Sequence, residues 1–319
     1  MPPAKAAAKT LTHINQRTLS APMKTKYFLQ LLALSSLLGA SFLFIRIASP
    51  VFGPNVLALL RVAMATATLA VLMRLMGQRW AWQHWRSLAA IGALSVAMPF
   101  LLFAWAGLQL PAGYSALLNS TAVIFGMFAS ARMGEDTITL KKLLGCACGF
   151  TGVALIVSLG PVEPSLKVVL AVLACLAASA CYGFSTPITK RAVGHMQPLQ
   201  IAAGIHLLSL AMLLPGAVYS LPDARFSWQA LGAVAVMGIA TSGLAYWAHL
   251  RILRHVTPVA AMSPIFMVPV FGVLWGHLFL GEELGHGLLL GGSLVLVASA
   301  LITGFNPLQR WLDLIDAKP

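Results

Sequence analysis

The acidic residues of this chain fall only where apolar segments begin or end. All 8 Asp and Glu residues follow this rule: Glu135, Asp136, Glu163, Asp223, Glu282, Glu283, Asp313 and Asp316. Acid–base catalysis needs positioned titratable groups, and a hydrolytic metal site needs clustered ligands. The sequence offers neither, nor a phosphate loop of the type GxxxxGK followed by Ser or Thr. We therefore predict no catalytic residues, no metal, no cofactor and no ATP hydrolysis.

Four ionisable side chains lie inside apolar segments: Arg61, His206, His249 and His277. Arg61 lies near the end of its segment, where its long side chain can reach an interface or a water-filled cavity. Both a ligand or gate contact and a structural pairing fit, and structural pairing is the more common case. Each histidine is expected to be a neutral packing residue, and a proton carrier only if the protein moves protons. The lack of a carboxylate in the middle of any segment argues against such coupling.

Polar and aromatic side chains in the middle of apolar segments could contact a small molecule. Asn119 and Ser263, with a carbonyl freed by Pro264, could pair the ammonium and carboxylate of a zwitterion, whose unpaired burial is costly. Aromatic rings could stack on a side chain, contributing about 0.5–1.5 kcal/mol beyond area burial. Alternatively, half or more of these rings face lipid or neighbouring helices. The candidate binding residues are Ser41, Trp105, Asn119, Tyr182, Ser242, Tyr246, Trp247 and Ser263.

Prolines inside apolar segments remove backbone hydrogen bonds. Each lacks the N–H that would bond the carbonyl four residues earlier, and such a carbonyl is tolerated in hydrocarbon only where protein or a wet cavity satisfies it. A simple packing kink is the alternative for any single proline. Their grouping in a few segments predicts bent, mobile helices around a cavity. The candidates for kinks or gating are Pro99, Pro187, Pro264 and Pro269.

The elements that carry these residues are long and apolar. The 319-residue chain is 59% hydrophobic and 9% charged, whereas soluble domains carry about a quarter charged residues. A helix needs roughly 20 apolar residues to cross a bilayer core, and backbone groups in lipid must be satisfied within the helix. We predict an all-α integral membrane protein with ten transmembrane helices, at 27–47, 55–75, 86–107, 111–132, 137–159, 166–189, 198–219, 228–250, 258–280 and 284–304.

The net charge of +13 is distributed unevenly among the connections. Lys and Arg cluster in the N-terminal tail and in alternate loops, such as those holding Lys141 and Lys190, and are rare in the others, which hold Lys167 and Arg225. Cytoplasmic loops carry such an excess, so we predict that both termini are cytoplasmic. The charge then reflects orientation and attraction to anionic membrane lipids rather than binding to nucleic acid.

Residues 27–160 repeat weakly, in order, in residues 171–304. The pair Gly134–Glu135, for example, matches Gly281–Glu282. Five segments per unit would place the second copy in the membrane upside down, an arrangement typical of secondary transporters with a site between the halves. The alternative is that any two apolar stretches look alike.

The predicted domains follow from this repeat. Residues 1–26 form a disordered cytoplasmic tail, 27–160 and 166–304 form the two five-helix repeats, and 305–319 form a cytoplasmic C-terminal tail. The fifth and tenth segments are rich in small residues, which let helices approach closely, and we expect them to be packing or dimer helices.

Ten segments, two inverted halves, a Gly-Glu pair after the fourth and ninth segments and cytoplasmic termini together resemble the drug/metabolite transporter superfamily, in particular its EamA-type members. The resemblance covers about residues 27–305. It implies a central cavity formed by the first, third, fourth, sixth, eighth and ninth helices. Trp105, Tyr182, Tyr246 and Trp247 make the chain most similar to bacterial exporters of aromatic and other amino acids.

The sequence therefore predicts a multi-pass inner-membrane protein, not an enzyme, that exports amino acids and related metabolites by alternating access. Transport of another metabolite or drug, such as a nucleotide sugar or sugar phosphate, is the alternative, although such anions would want several cavity cations. A channel is disfavoured because the polar residues are clustered rather than continuous.

The predicted orientation can be tested with cysteine reporters. A membrane-impermeant thiol reagent added from the periplasmic side should label Gly160→Cys and leave Lys141→Cys unlabelled, because alternate loops face opposite sides. The unsubstituted protein controls for its native cysteines. Labelling of Lys141→Cys alone would reverse the assigned orientation.

Overall fold

The computed structural model describes residues 23–106, 109–110, 112–157, 165–281 and 287–305. The predicted tail 1–26, apart from its last residues, and the C-terminal tail after Phe305 lie outside this part. All regular elements in it are helical. The α-helices are α1 Thr25–Leu75, α2 Trp85–Gly92, α3 Met98–Ala106, α4 Ala112–Ser120, α5 Ala122–Arg132, α6 Leu140–Ile156, α7 Leu166–His195, α8 Pro198–Ser220, α9 Trp228–Val236, α10 Ala245–Leu253, α11 Pro258–Ala261, α12 Pro264–Leu280 and α13 Leu288–Thr303.

Two π-helical segments and two short 3₁₀ turns complete the fold. The first π segment, π1, spans Ala93–Ala97 and joins α2 to α3, and the second, π2, spans Met237–Leu244 and joins α9 to α10. Such widened turns inside α-helices occur frequently at functional sites. The 3₁₀ turns lie at Trp82–His84 and Leu221–Asp223.

Helix α1 contains two straight pieces that meet at Gly53. Its 51 residues are broken there by a φ of 68° and a ψ of 166°, with Pro50 and Pro54 on either side. Glycine adopts this positive φ without steric penalty, whereas other residues rarely do. The first two predicted segments are therefore joined by a kink at a glycine rather than by a long loop.

Seven helical runs in the described residues are long and apolar enough to cross a membrane: Ile47–Leu75, Trp82–Phe103, Tyr114–Arg132, Leu166–His195, Pro198–Asp223, Trp228–Leu253 and Pro258–Phe279. Helix α13 is apolar but shorter. The prediction of a helical, multi-pass membrane protein is confirmed, whereas the count of ten spans is not reached by this criterion. The predicted fifth and tenth segments correspond to α6 and α13, which have 17 and 16 residues.

Hydroxyl side chains begin several of the helices. Thr139, Ser165, Ser227 and Thr257 each accept a hydrogen bond from the backbone N–H three residues later. This contact satisfies one of the backbone donors that have no partner within the first turn. The caps thus mark helix starts that hydropathy alone places only approximately.

The four predicted kink prolines have different structural outcomes. Pro264 separates α11 from α12, so the ninth predicted segment is broken. Pro99 follows π1 directly, in the first turn of α3. Pro187 and Pro269 lie inside α7 and α12, whose helical assignment is uninterrupted. Thus the helix is interrupted at Pro264, and Pro99 lies next to a π-helical segment.

Two close helix contacts of the first part of the chain have counterparts in the second part. A Cβ added to Gly39 on α1 would lie 2.6 Å from the Cβ of Phe271 on α12, and one added to Gly183 on α7 would lie 2.6 Å from the Cβ of Phe125 on α5. A Cβ added to Gly92 or to Gly238 would likewise lie 2.8 Å from the backbone carbonyl oxygen of Ile205 or Arg61, respectively.

Helices α6 and α13 pack directly on each other through small residues. A Cβ added to Gly152 would lie 2.7 Å from the carbonyl oxygen of Gly291, and one added to Gly291 would lie 2.5 Å from that of Gly152. Neither position has room for a methyl group. The expectation that these two segments are packing helices is met by their contact with one another.

Replacement of Gly291 by Ala should destabilise the protein although alanine favours helices. Overpacking typically costs about 1–3 kcal/mol, which corresponds to a fall of several degrees in Tm. Gly194→Ala is the matched control because an added Cβ there meets nothing within 4 Å. Thermal unfolding of both variants in detergent is the measurement, and equal Tm values would contradict the close packing.

Candidate functional site

A cavity of about 300 Å³ lies between helices from both parts of the chain. Sites for small molecules typically measure about 300–1,000 Å³, so this cavity fits a compact ligand. Most of the surface area of its wall is apolar, and the apolar lining side chains include Leu38, Phe100 and Ile265. The polar lining residues are Ser41, Arg61, Ser95, Asn119, Tyr182, Ser185, Thr186, Thr189, His206, Thr241, Ser242, Tyr246 and His249.

Arg61 reaches the cavity from the second piece of α1 and is held by two hydroxyls of π2. Its Nε donates to Ser242 Oγ at 2.5 Å, and its Nη2 donates to Thr241 Oγ1 at 3.4 Å. The Thr241 hydroxyl itself donates to the carbonyl of Met237 at 2.7 Å, so it is oriented to accept from Arg61. The guanidinium carbon also lies 4.9 Å from the centre of the Phe100 ring. Arg61 is therefore fixed in direction by neutral groups.

No carboxylate of the described residues lines the cavity beside Arg61. Two of the described carboxylates are already paired elsewhere, Asp136 with Lys142 and Glu135 with Arg191. Structural pairing was one of the two roles that the sequence allowed for Arg61, and its described partners are hydroxyls. These neutral groups orient the guanidinium without neutralising its charge.

Two buried oxygen atoms of the lining have no hydrogen-bond partner among the described protein groups. They are Asn119 Oδ1 on α4 and Ser41 Oγ on the first piece of α1. A buried acceptor without a donor costs roughly 1–3 kcal/mol. These atoms are consequently suited to receive N–H or O–H donors from a bound molecule.

An aromatic and imidazole cluster forms a further part of the wall. The Tyr246 hydroxyl donates to Ser95 Oγ at 3.2 Å, and the His206 ring lies 5.0 Å from that of Tyr246 in an edge-on arrangement. His206 Nδ1 lies 2.8 Å from the carbonyl oxygen of Ala202 and donates to it. His206 is thus hydrogen-bonded within its own helix, as expected for a packing histidine, although it also faces the cavity.

The cavity brings together Ser41, Asn119, Tyr182, Ser242, Tyr246 and Pro264 of the residues predicted from the sequence. Trp105, Trp247 and Ser263 do not line it, nor do Pro99, Pro187 and Pro269. Trp247 follows Tyr246, and successive residues of a helix point about 100° apart, so Trp247 instead lies with Arg251 5.3 Å from its ring. Trp105 is partly exposed on the outside of the bundle.

Ser263 lies next to the cavity without lining it. It is fully buried at the break between α11 and α12, and its N–H bonds the carbonyl of Ala260 at 3.2 Å. The carbonyl freed by Pro264, that of Ala260, accepts this hydrogen bond, and neither Ser263 nor Ala260 lines the cavity as predicted.

Several residues that line the cavity were not predicted from the sequence, and the role of one was left undecided. Ser95, Phe100 and Thr189 were not among the candidates, and Arg61 was only an alternative. Ser95 had a signal, because it lies four residues before Pro99. Arg61 had one too, since an ionisable residue inside an apolar segment is by default a functional candidate.

Lys190 ties two helix ends together at one end of the bundle. Its Nζ donates to the carbonyls of Leu253, Arg254 and Val256 at 2.6, 3.2 and 2.7 Å, respectively. These carbonyls follow the end of α10 and lack partners within the helix, so a cation is favourable there. Thr189 and Leu253 line the cavity immediately above.

Two arginines complete this group of contacts, which we call the basic latch: Lys190, Arg191 and Arg254. Arg254 donates to the carbonyls of Val193 and Met196 at 3.0 and 2.8 Å. Arg191 Nε donates to Glu135 Oε1 at 2.7 Å. The latch thereby connects the end of α7 to the ends of α10 and α5, next to the cavity-lining Thr189 and Leu253.

The family described as the EamA-like transporter family matches residues 25–158 and again residues 169–304. One solved protein structure superposes with a TM-score of 0.75 at 16% sequence identity and covers 88% of this chain and 96% of that chain. This likeness concerns the fold.

Curated relatives are distant in sequence but similar in length. An uncharacterized transporter from Archaeoglobus fulgidus is 22% identical over 264 residues, which are 83% of this chain and 94% of the relative. A probable terminal-alkyne amino-acid exporter from Streptantibioticus cattleyicolor is 24% identical over 83% of this chain and 89% of its own. Protein PecM from Dickeya dadantii is 26% identical over 79% and 83%.

Loss of the Lys190 ammonium should open the latched end more often. A cysteine placed at Thr189, which is buried and lines the cavity, should react with a maleimide several-fold faster when Lys190→Gln is added. Lys141→Gln removes the same charge from an exposed side chain and should leave the rate unchanged. Equal rates in all three backgrounds would show that the latch does not control access.

Proposed function

This chain belongs to the EamA-like transporter family, and on that basis we propose that it is a secondary transporter that exports amino acids, including aromatic ones, and related small metabolites by alternating access. The resemblance inferred from the sequence is confirmed by the family match. Members of this family are transporters and not enzymes. The cavity carries the rest of the proposal, because it combines an oriented cation, free acceptors and aromatic rings in a site of amino-acid scale.

The proposed architecture is ten transmembrane helices arranged as two inverted five-helix repeats, 27–160 and 166–304. The repeated contacts of Gly39 and Gly183, each against a phenylalanine of a helix in the other part of the chain, support it. So does the occurrence of one π segment in each part. Inverted repeats place the substrate site at the interface of the halves, where the cavity lies.

The proposed location is the bacterial inner membrane, with both termini in the cytoplasm. In this orientation the basic latch lies at the cytoplasmic end of the cavity. Exchange between inward and outward access then requires the latch to separate, with Pro264, the break at Met262–Ser263 and the π segments as flexible points. Three further prolines remain gating candidates because they lie in helices that line the cavity: Pro99 in α3, Pro187 in α7 and Pro269 in α12.

An amino acid is the proposed substrate class for two reasons. Its carboxylate and ammonium match the cation and the acceptors of the lining, while Tyr182, Tyr246 and Phe100 can contact its side chain. One distant relative is named a probable amino-acid exporter. Because the described lining contains no carboxylate, we expect flux to follow the substrate gradient without proton coupling.

Sugar phosphates and nucleotide sugars are the competing substrate class. Phosphate groups carry more charge than a carboxylate and are usually bound by several cations. Arg61 is the one Lys or Arg among the described lining residues. This favours a singly charged group, and therefore the amino acid.

Counterflow of labelled amino acids in proteoliposomes tests the proposal. Tyr246→Ala should reduce phenylalanine flux about two- to tenfold and threonine flux less, since ring contacts contribute about 0.5–1.5 kcal/mol and about 1.4 kcal/mol is tenfold. Trp247→Ala, the neighbouring residue outside the lining, should leave the ratio of the two fluxes unchanged, and an uncoupler should have no effect. Absence of flux for every amino acid, with folded protein, would refute the proposed substrate class.

A further inference from the structure

We propose that Arg61 binds the carboxylate of the substrate and that Asn119 Oδ1 and Ser41 Oγ accept hydrogen bonds from its ammonium. This inference rests on the proposed function and names the ligand class more narrowly: zwitterionic α-amino acids rather than amines. Neither organic cations nor simple carboxylic acids would satisfy both ends of the site.

The first step of the argument is the charge of the cavity. Arg61 places a fixed positive charge at the lining, and its two described partners, Ser242 and Thr241, are neutral. A guanidinium has five N–H donors, of which these contacts use two, one on Nε and one on Nη2. The other donors can form the paired hydrogen bonds that arginine makes to a carboxylate.

The second step is the way Arg61 is held. Its Nε contact of 2.5 Å and the ring of Phe100 at 4.9 Å fix the plane of the guanidinium. A group that served only to join α1 to π2 would not require a charge, because a neutral donor could reach the same hydroxyls. The charge is explained when a ligand supplies the missing anion.

The third step concerns the part of the cavity that would bind the ammonium of the substrate. Asn119 and Ser41 lie on α4 and on the first piece of α1, whereas Arg61 lies on the second piece. Both present a buried oxygen without a described hydrogen-bond donor. An ammonium has three donors and no acceptor, so it matches these oxygens without needing an acidic partner.

Discrimination between ligands follows from this arrangement. An amine without a carboxylate gains nothing from Arg61 and is repelled by it, because like charges in a water-poor site disfavour binding strongly. A carboxylic acid without an amine keeps the contact to Arg61 but leaves Asn119 Oδ1 and Ser41 Oγ unsatisfied. The expected order of affinity is amino acid, then carboxylic acid, then amine.

Ligand-induced thermal stabilisation of the full-length protein in detergent measures this order without requiring transport. The probes are phenylalanine, 3-phenylpropionate and phenethylamine, which share one ring and differ in their charged groups. In the unsubstituted protein, phenylalanine should bind at least tenfold more tightly than phenethylamine. In Arg61→Gln the affinity for phenylalanine should fall at least tenfold, while that for phenethylamine should stay equal or rise.

Controls separate recognition from folding. Arg74→Gln removes an exposed arginine from the same helix and should preserve the wild-type order. Arg61→Lys keeps the charge but loses the paired geometry, so it should bind phenylalanine with intermediate affinity even if Arg61→Gln fails to fold. Asn119→Ala should weaken phenylalanine binding and leave 3-phenylpropionate unaffected.

The outcomes distinguish this inference from the function on which it rests. Equal stabilisation by phenylalanine and phenethylamine would overturn the role of Arg61 while leaving amino-acid transport intact. An equal loss of affinity for all three probes in Arg61→Lys would also overturn it, because a purely structural residue gives that result. Counterflow of no amino acid by the unsubstituted protein would instead remove the proposed function itself.

Discussion

Polar groups in hydrocarbon must find their partners within the protein or in a cavity, and this constraint shapes both the helices and the candidate site. Many hydroxyls of the bundle bond a carbonyl of their own helix, as Ser35 does to Leu31 at 2.7 Å and Thr66 to Val62 at 2.8 Å. Such local bonds satisfy the side chain without needing any other element. Four buried serines outside the lining also have a hydroxyl without a described partner: Ser130, Ser209, Ser263 and Ser299. The free acceptors of Asn119 and Ser41 and the free donors of Arg61 differ from these in facing the cavity. Where such groups face a cavity beside an ionisable residue, a ligand can complete their hydrogen bonding.

The same constraint decided which parts of the fold could be predicted from the sequence. The apolar segments had to be helices, so their type and approximate positions followed directly from hydropathy. The break at Pro264 followed from the missing proline N–H. The turn at Gly53, which joins two segments with almost no loop, depended on a positive φ that hydropathy does not report. The short helices α6 and α13 also fell below the length assumed for a span.

The residue types of the candidate site could be predicted from the sequence. Which of these side chains face the cavity could be predicted much less well. Polar and aromatic residues of six expected segments were named, but Arg61 and His206 add the second and seventh segments to the cavity. The rotation of each helix also decides which residue of a neighbouring pair faces inward. Tyr246 lines the cavity and Trp247 does not, although both are aromatic and adjacent. For Arg61, the residue type alone indicated a functional candidate. Its hydrogen-bond partners on π2 could not be predicted, because they lie far away in the sequence. A widened turn such as π2 has no simple sequence signature, and it sets the rotation of the residues that follow.

The hydrogen bonds of the basic latch determine which residues of the protein can be exchanged during evolution. Lys190 bonds three backbone carbonyls, and Arg254 bonds two more. Backbone acceptors are the same whatever amino acid occupies the position, so the residues at the accepting ends can be exchanged during evolution without breaking these contacts. The side chains that carry information about the latch are the donors and two acceptors, Glu135, which faces Arg191, and Gln197, which accepts from Arg254 at 3.4 Å. Co-variation between positions would therefore overlook most of these contacts, even though they join three helices.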